Sequence, residues 1–333
     1  MLFSVLIPVY NAEKYIEKTV QSILKQTEQD FEIVIMDDSS TDSSADVCCK
    51  LAEKYKDKIR FFEQENKGVL LARRDLATLS RGEYLVFVDA DDLLVENALE
   101  LLKNTIVNTK SDLVLYDLQK RSKSGDELYT MPLENNQQFC GDTKKEVLRM
   151  MVLTKYIYSM CQKAFKRECF DFGADYSEYR GMRIGEDAFQ SYPIMDKAKK
   201  ITYLKEPIYI YRKNSTGATA SVHEDDIRWH MMQFVREDEY ISKWNIAYED
   251  IKMVSATRLR KMLSFLSRIA KQVDKPQKYK EFKSLLKSIV NDKLFVNAVN
   301  AVDKKKLQKI YRLDLLLIRL RLYRLLYIEK RLI

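Results

Sequence analysis

The 333-residue chain is poor in the residues that interrupt regular structure, with eight glycines and five prolines, about a third of ordinary usage. Collagen-like, low-complexity and glycine-looped architectures are thereby excluded, and helix and strand must account for most of the chain. It contains no Gly-x-Gly-x-x-Gly and no P-loop, so no glycine-rich backbone cradles phosphates. Five cysteines form no Cys-x-x-Cys pair, and with only His223 and His230 beside them a structural zinc site has little to build on. Reduced thiols in a cytosolic compartment are the natural reading. The longest stretch free of charged side chains, Met1 to Ala12, lacks a basic lead-in and contains Pro8, Tyr10 and Asn11, so neither a signal peptide nor a spanning helix is expected.

Positive charge is unevenly placed. The net charge is +8, yet from Asp303 onward ten lysines and arginines face only Asp303, Asp314 and Glu329, a surplus of seven that leaves one for everything before it. A nucleic-acid footprint spread over the fold is not expected, because basicity is a terminal feature. From Leu307 to Ile333 leucine, isoleucine and tyrosine alternate with arginine, which suggests a helix lying on an anionic membrane surface. On one continuous helix Arg312 and Arg319 share a side, while Arg321, Arg324 and Asp314 lie away from it. The competing reading is a helix packed on its own domain or on a partner subunit.

Apolar content of 46% is ample for a core. Ser4 to Val9 reads as a buried strand, and Asn11 as the N-cap of a helix with Ile16, Val20, Ile23 and Leu24 on one face. Phe31 to Met36, Ile59 to Phe62, Tyr84 to Val88 and Leu113 to Leu118 read as strands. Helical spacing separates them: Ala45 to Tyr55, Gly68 to Leu79 and Leu99 to Ile106. Such alternation, with strands apolar on both faces, predicts an α/β fold with a mostly parallel sheet covered by helices. Periodicity weakens from Gly125 to about Gly185, where Val147 to Leu153 alone looks helical. Beyond Ser221 long helices are predicted, one burying Leu259 to Val273 and another Tyr279 to Val290, with Pro276 between them. No internal repeat stands out.

In doubly wound sheets ligands bind beyond the carboxyl ends of the strands, and those ends are acidic here: Asp37-Asp38-Ser39-Ser40-Thr41-Asp42 after the second strand and Asp89-Ala90-Asp91-Asp92 after the fourth. Carboxylates gathered where a nucleotide lies would repel its phosphates unless a divalent cation bridges them. Hard oxygen ligands at Asp-x-Asp spacing suit Mg²⁺ or Mn²⁺. The plain alternative for Asp89 to Asp92 is a solvated turn capping the next helix.

These segments resemble the inverting glycosyltransferases of family 2, of the bacterial surface-polysaccharide type, with the GT-A fold. Five motifs carry the likeness: Ser4-Val-Leu-Ile-Pro-Val-Tyr-Asn11; Phe31-Glu-Ile-Val-Ile-Met-Asp-Asp-Ser-Ser-Thr-Asp42; Asn66-Lys-Gly68 with Ala72-Arg73; Gly82-Glu-Tyr-Leu-Val-Phe-Val-Asp-Ala-Asp-Asp92; and Gly185-Glu-Asp-Ala-Phe189. They stand in the family's order and spacing and cover roughly residues 1 to 215. The resemblance implies a GT-A-like catalytic domain over residues 1–221, followed by a helical C-terminal region over 222–333 with its basic tail at 303–333.

By the same resemblance, Tyr10 and Asp38 hold the uracil of a UDP-sugar by stacking and by accepting the base N–H, in a pocket shaped by Pro8, Asn11 and Gly68. Asp89 contacts the ribose or the metal, Asp91 coordinates Mn²⁺ or Mg²⁺ on the diphosphate, and Arg73 neutralises the phosphates or meets the sugar. Arg74 stands where the family usually has Asn, which leaves the role of each arginine open. Glu186 and Asp187 resemble the family's acidic pair, with Asp187 the general base; alone, such a pair is an ordinary helix N-terminus. Arg212 precedes a segment, 214–221, that resembles the one closing over the donor. No Gln-x-x-Arg-Trp is present, which by analogy with processive relatives implies transfer of single sugars. The expected function is transfer of one sugar from a nucleotide-sugar to a hydroxyl of a glycan or lipid-linked acceptor, with inversion and a divalent metal. The expected location is cytoplasmic, peripheral on the inner face of the membrane. The alternative is a non-catalytic nucleotide-binding or membrane-associated scaffold protein, separable by detectable UDP-sugar hydrolysis.

Overall fold

The computed structural model describes all residues but 123–124, 155–156, 213–222, 224, 272–277, 304, 306 and 333. Two compact units emerge, Met1–Gly217 and Ala218–Ile333. The expected division after residue 221, the segment 214–221 and Pro276 lie outside the described residues.

The first unit begins with β1 (Phe3–Val9), α1 (Ile16–Leu24), β2 (Phe31–Asp37), α2 (Ser44–Lys54), β3 (Ile59–Glu63), α3 (Val69–Leu79) and β4 (Tyr84–Phe87). Every residue of β1, β2 and β4 is buried, as parallel strands covered on both faces require. The chain continues through β5 (Leu93–Leu94), α4 (Ala98–Thr109), β6 (Leu113–Ser122), β7 (Gly125–Tyr129), β8 (Gln138–Cys140), α5 (Lys144–Leu153), β9 (Lys163–Lys166), α6 (Glu186–Lys197) and β10 (Lys200–Arg212). One sheet runs β3-β2-β1-β4-β9-β6-β10-β5, with β7 on β6 and β8 on β10. Because β1 pairs in parallel with both β2 and β4, the strand order reverses there and a crevice opens beyond their carboxyl ends.

The expected fold takes a more particular form in two places. The sheet is mixed beyond β4, since β9 runs antiparallel to both β4 and β6; four residues, Lys-Ala-Phe-Lys, are too short a run to announce a strand. Nor does Asn11 cap α1, which starts at Ile16. Asn11 adopts φ 50°, its N–H donates to Ser40 Oγ at 3.0 Å, and its Oδ1 accepts from Thr41 N at 2.8 Å. Its side chain therefore joins the ends of β1 and β2.

The second unit is helical: α7 (Asp226–Lys243), α8 (Tyr248–Lys271), α9 (Lys278–Asn291), α10 (Lys293–Ala301), α11 (Lys309–Arg319) and α12 (Tyr323–Leu332). Its core is the apolar face of α8, Leu259, Met262, Leu263 and Leu266, packed with Phe282, Leu286 and Ile289 of α9 and Leu326 of α12. The tail is not one helix. Arg321 takes a left-handed φ of 58°, Leu322 N donates to Leu317 O at 2.9 Å, and Arg321 N to Ile318 O at 3.0 Å, a Schellman termination without glycine. Asp314 turns inward and pairs with Lys330 at 2.6 Å, both side chains being fully buried. No helix among the described residues is long and apolar enough to cross a membrane.

At the edge of the first unit's core, Ser4 Oγ donates to Glu32 Oε1 at 2.6 Å and accepts from Gly82 N at 2.8 Å, while Arg60 pairs with Glu32 at 3.0 Å. Gly82 is required by proximity and not by conformation: a Cβ there would lie 2.5 Å from Phe3 C and Ser4 N, both backbone atoms of β1. Gly82→Ala must push β1 and the start of β4 apart. We expect a loss of about 1–3 kcal/mol in unfolding free energy by denaturant titration; a variant as stable as the native chain would mean that the strands yield without cost.

Candidate active site

α3 buries Leu70, Leu71, Ala72, Leu76 and Ala77 against the sheet, and Arg73 belongs to the same buried face. With 3% of its side chain exposed, Arg73 reaches under the crevice: Nη2 pairs with Asp89 Oδ1 at 3.1 Å and Nη1 with Asp187 Oδ1. One guanidinium thus gathers the end of β4 and the first turn of α6. Burial by itself would disfavour the charge, but Asp187 and then Asp89 outweigh it and push Arg73 further up. The planar fork suits two separate carboxylates as a lysine would not. Its Nε is buried with no partner.

The Asp89 to Asp92 turn is held from β10. Asp92 is buried, accepting from Tyr209 Oη at 2.7 Å and from Arg212 N at 2.7 Å. Tyr209 Oη in turn accepts from Asp89 N at 3.2 Å. Burial, then Asp89 and Asp91, raise Asp92 to about 8. Arg212 Nε donates to the Asp91 carbonyl, its Nη2 donates to Thr19 Oγ1 at 3.0 Å, and its guanidinium lies 5.4 Å from the Tyr15 ring. The irregular register of β10 between Leu204 and Tyr209 brings these groups beside β5.

On the other side of β1, Asp38 is buried and its carboxylate accepts from Gln64 Nε2 at 2.7 Å, Lys67 N at 2.9 Å and Gly68 N at 2.8 Å. It therefore fixes the segment leading into α3. Gly68 has φ 89°, and a Cβ there would meet Gly181 N at 3.1 Å, so two backbones approach closely at this point. Gln64 Oε1 is buried and unpartnered. Pro8 is buried in β1, whereas the Tyr10 ring is 53% exposed at the crevice mouth.

α6 begins after Gly185, at φ 82°, and carries Glu186 and Asp187 in its first turn, where carboxylates are favoured by the helix dipole. Beneath them Lys163, fully buried, donates to Ser191 Oγ at 2.9 Å and to the Ser159 carbonyl. Burial pushes it down to about 7. The helix-terminus reading of Glu186 and Asp187 is thus realised, and Asp187 additionally meets Asp89 through Arg73. Sequence reasoning named Asp187, Asp89 and Arg73 but not their union. It gave no role to Gln64, Lys163, Tyr209 or Asp92; nothing local marks these residues, which gain meaning through partners far along the chain.

No three His, Cys, Asp or Glu side chains among the described residues gather into a metal cage. Asp89 and Asp91 offer hard oxygens at one strand end. That donor set fits an ion of the Mg²⁺ class, which takes one or two carboxylates and completes its shell with water and phosphate oxygens, and it does not fit a self-contained protein site.

A family model for glycosyl transferase family 2 matches residues 4–172. The chain belongs to this family. Among relatives of this family 2 member, GlyA of Streptococcus pneumoniae, a glycosyltransferase, is 27% identical over 291 residues, taking in 84% of this chain and 40% of GlyA. EpsJ of Bacillus subtilis, an uncharacterized glycosyltransferase, is 25% identical over 330 residues, 99% of this chain and 94% of EpsJ. The crystal structure of S. aureus TarS 1–349 in complex with UDP-GlcNAc aligns with a TM-score of 0.65 at 21% identity, over 99% of this chain and 89% of that one. The last likeness is one of fold, and it agrees with the GT-A-like sheet expected from the motifs.

Glu186 allows a test of this electrostatic arrangement. Burial, then Asp187, raise its carboxyl from 4.5 to about 7. A carboxyl that holds its proton more tightly folded than unfolded contributes stability that is lost as pH rises through the folded value, here between 4.5 and about 7. Glu186→Gln removes this titration. Its unfolding free energy is expected to fall less than the native chain's from about pH 5 to about pH 7.5, and an identical fall in both proteins would refute the raised carboxyl.

Proposed function

We propose that the chain is an inverting glycosyltransferase that moves a single sugar from a UDP-sugar to a hydroxyl of a glycan or lipid-linked acceptor. The observation that carries this reading is the Arg73 clamp, which sets the carboxylate of Asp187 beside Asp89 at the carboxyl edge of the sheet. Binding of UDP-GlcNAc by TarS, similar in fold, supports a UDP-sugar donor. Surface-polymer names among the relatives, such as a minor teichoic acid biosynthesis protein of Bacillus subtilis, support a glycan acceptor. We place the protein in the cytoplasm, peripheral on the inner face of a membrane through its tail.

The donor base stacks on the exposed Tyr10 ring. Asp38, held by the Gln64 to Gly68 segment, accepts its N–H. Asp89 and Asp91 would hold Mn²⁺ or Mg²⁺, whose charge, when bound, stabilises the leaving diphosphate. Asp187 accepts the proton of the acceptor hydroxyl as that oxygen attacks the anomeric carbon on the face opposite the diphosphate, which gives inversion. Arg73 orients Asp187. Tyr209, Asp92 and Arg212 keep the Asp89 to Asp92 turn in register with the base.

A panel of nucleotide sugars, with and without Mn²⁺, followed by release of free nucleotide, tests the reading and separates it from a non-catalytic scaffold. Turnover is expected to require the divalent cation and to vanish in Asp91→Ala while the fold survives; full turnover in excess chelator would remove the metal from the scheme. Asp187→Asn is expected to lower transfer by about 10²- to 10⁴-fold with donor affinity nearly unchanged. Collapse of donor binding in that variant would make Asp187 a structural or donor-side group.

A further inference from the structure

The last two helices carry the same surface twice. Tyr311-Arg312-Leu313, Leu316 and Arg319-Leu320 recur twelve residues later as Tyr323-Arg324-Leu325, Ile328 and Arg331-Leu332. Spacing of i, i+3 and i+7 puts Leu313 and Leu316 of α11 on one stripe with Leu320, the residue that closes that helix, and Leu325, Ile328 and Leu332 on one stripe of α12. These six side chains are between 42% and 81% exposed. The inward positions differ completely: Leu317, Leu326 and Tyr327 enter the core of the second unit, and Asp314 and Lys330 neutralise each other inside. An exposed arginine precedes the first and last aliphatic residue of each stripe, Arg312 and Arg319 on α11, Arg324 and Arg331 on α12.

We propose that these two arginine-edged aliphatic stripes are a docking surface for an anionic lipid bilayer. The inference deepens the peripheral-membrane part of the function proposed above and rests on it, naming the faces and the occupant. Charge complementarity selects the occupant. Buried inside the unit, the acidic group of α11 leaves the outer faces aliphatic and basic, the pairing that lies at a headgroup boundary with leucines inserted and guanidiniums on phosphates. A second copy of the same face would set like charges against each other.

Co-sedimentation of the full chain with phosphatidylcholine vesicles, with and without about one third phosphatidylglycerol, tests it. Binding is expected with the anionic vesicles alone and is expected to fall with added salt. Replacing Arg312, Arg319, Arg324 and Arg331 by Gln is expected to weaken binding about 10²- to 10³-fold. Leu316→Ser with Ile328→Ser, at unchanged net charge, is expected to release the protein while the melting curve stays native. Hydrogen exchange of the unsubstituted chain, with the same vesicles, is expected to slow within residues 309–332. Failure of the intact chain to bind anionic vesicles at low salt overturns both the faces and the membrane reading. Persistent binding of the serine variant, or protection confined elsewhere, overturns the faces and leaves a tail that binds by charge alone. A concentration-dependent dimer that the serine variant abolishes, without vesicle binding, assigns the stripes to a second copy and overturns the proposal. Sugar transfer enters none of these readouts, so its failure is seen separately.

Discussion

The first unit's acidic strand end and the start of α6 are joined by one buried guanidinium. Arg73 sits in the apolar face by which α3 grips the sheet, so its position is set by Leu70, Ala72 and Leu76 and not by solvent. From there it holds Asp89 and Asp187, 114 residues apart from the latter in sequence. A buried charge of this kind is costly unless paired, and the pairing makes the interior of the helix layer and the opening of the crevice interdependent. One positive group against two carboxylates leaves the cluster net negative, the sign that attracts a cation.

Around this clamp the fold supplies three supports from different directions. The β2 end and the Gln64 to Gly68 segment are tied by Asp38, the Asp89 to Asp92 turn is tied to β10 by Tyr209 and Arg212, and the start of α6 rests above Lys163 at the head of β9. Each support joins elements distant in sequence, so the crevice is shaped before any ligand arrives. Preorganisation of this type lowers the reorganisation that accompanies charge development during transfer.

Much of this was legible in the sequence. Strands buried on both faces announce themselves by continuous apolar runs, and the acidic ends after β2 and β4 follow from where those runs stop. Asp187 was legible through its motif, since Glu-Asp at a helix start is uninformative alone. Asp92 and Tyr209, 117 residues apart, were not, because a tyrosine in an apolar strand and a third aspartate in a turn look ordinary until paired. The strand β9 was hidden for a related reason: its four residues gain strand character from the two neighbours between which they lie. The tail was misjudged as one helix because no glycine or proline marks the stop at Arg321.

That stop has a consequence for how the tail tolerates change. On an unbroken helix a twelve-residue interval advances by about 1,200°, which leaves the second stripe about 120° around the axis from the first. The left-handed residue interrupts any such accumulated rotation, because α12 packs on the second unit's core through its own Leu326 and Tyr327. Register is consequently local to each helix. Extra residues between Arg321 and Tyr323 shift neither stripe relative to its own buried side, whereas a single residue added inside α11 or α12 rotates leucines into the core and carries the Asp314 or Lys330 charge outward, so the connection and the helices it joins are under opposite constraints on length.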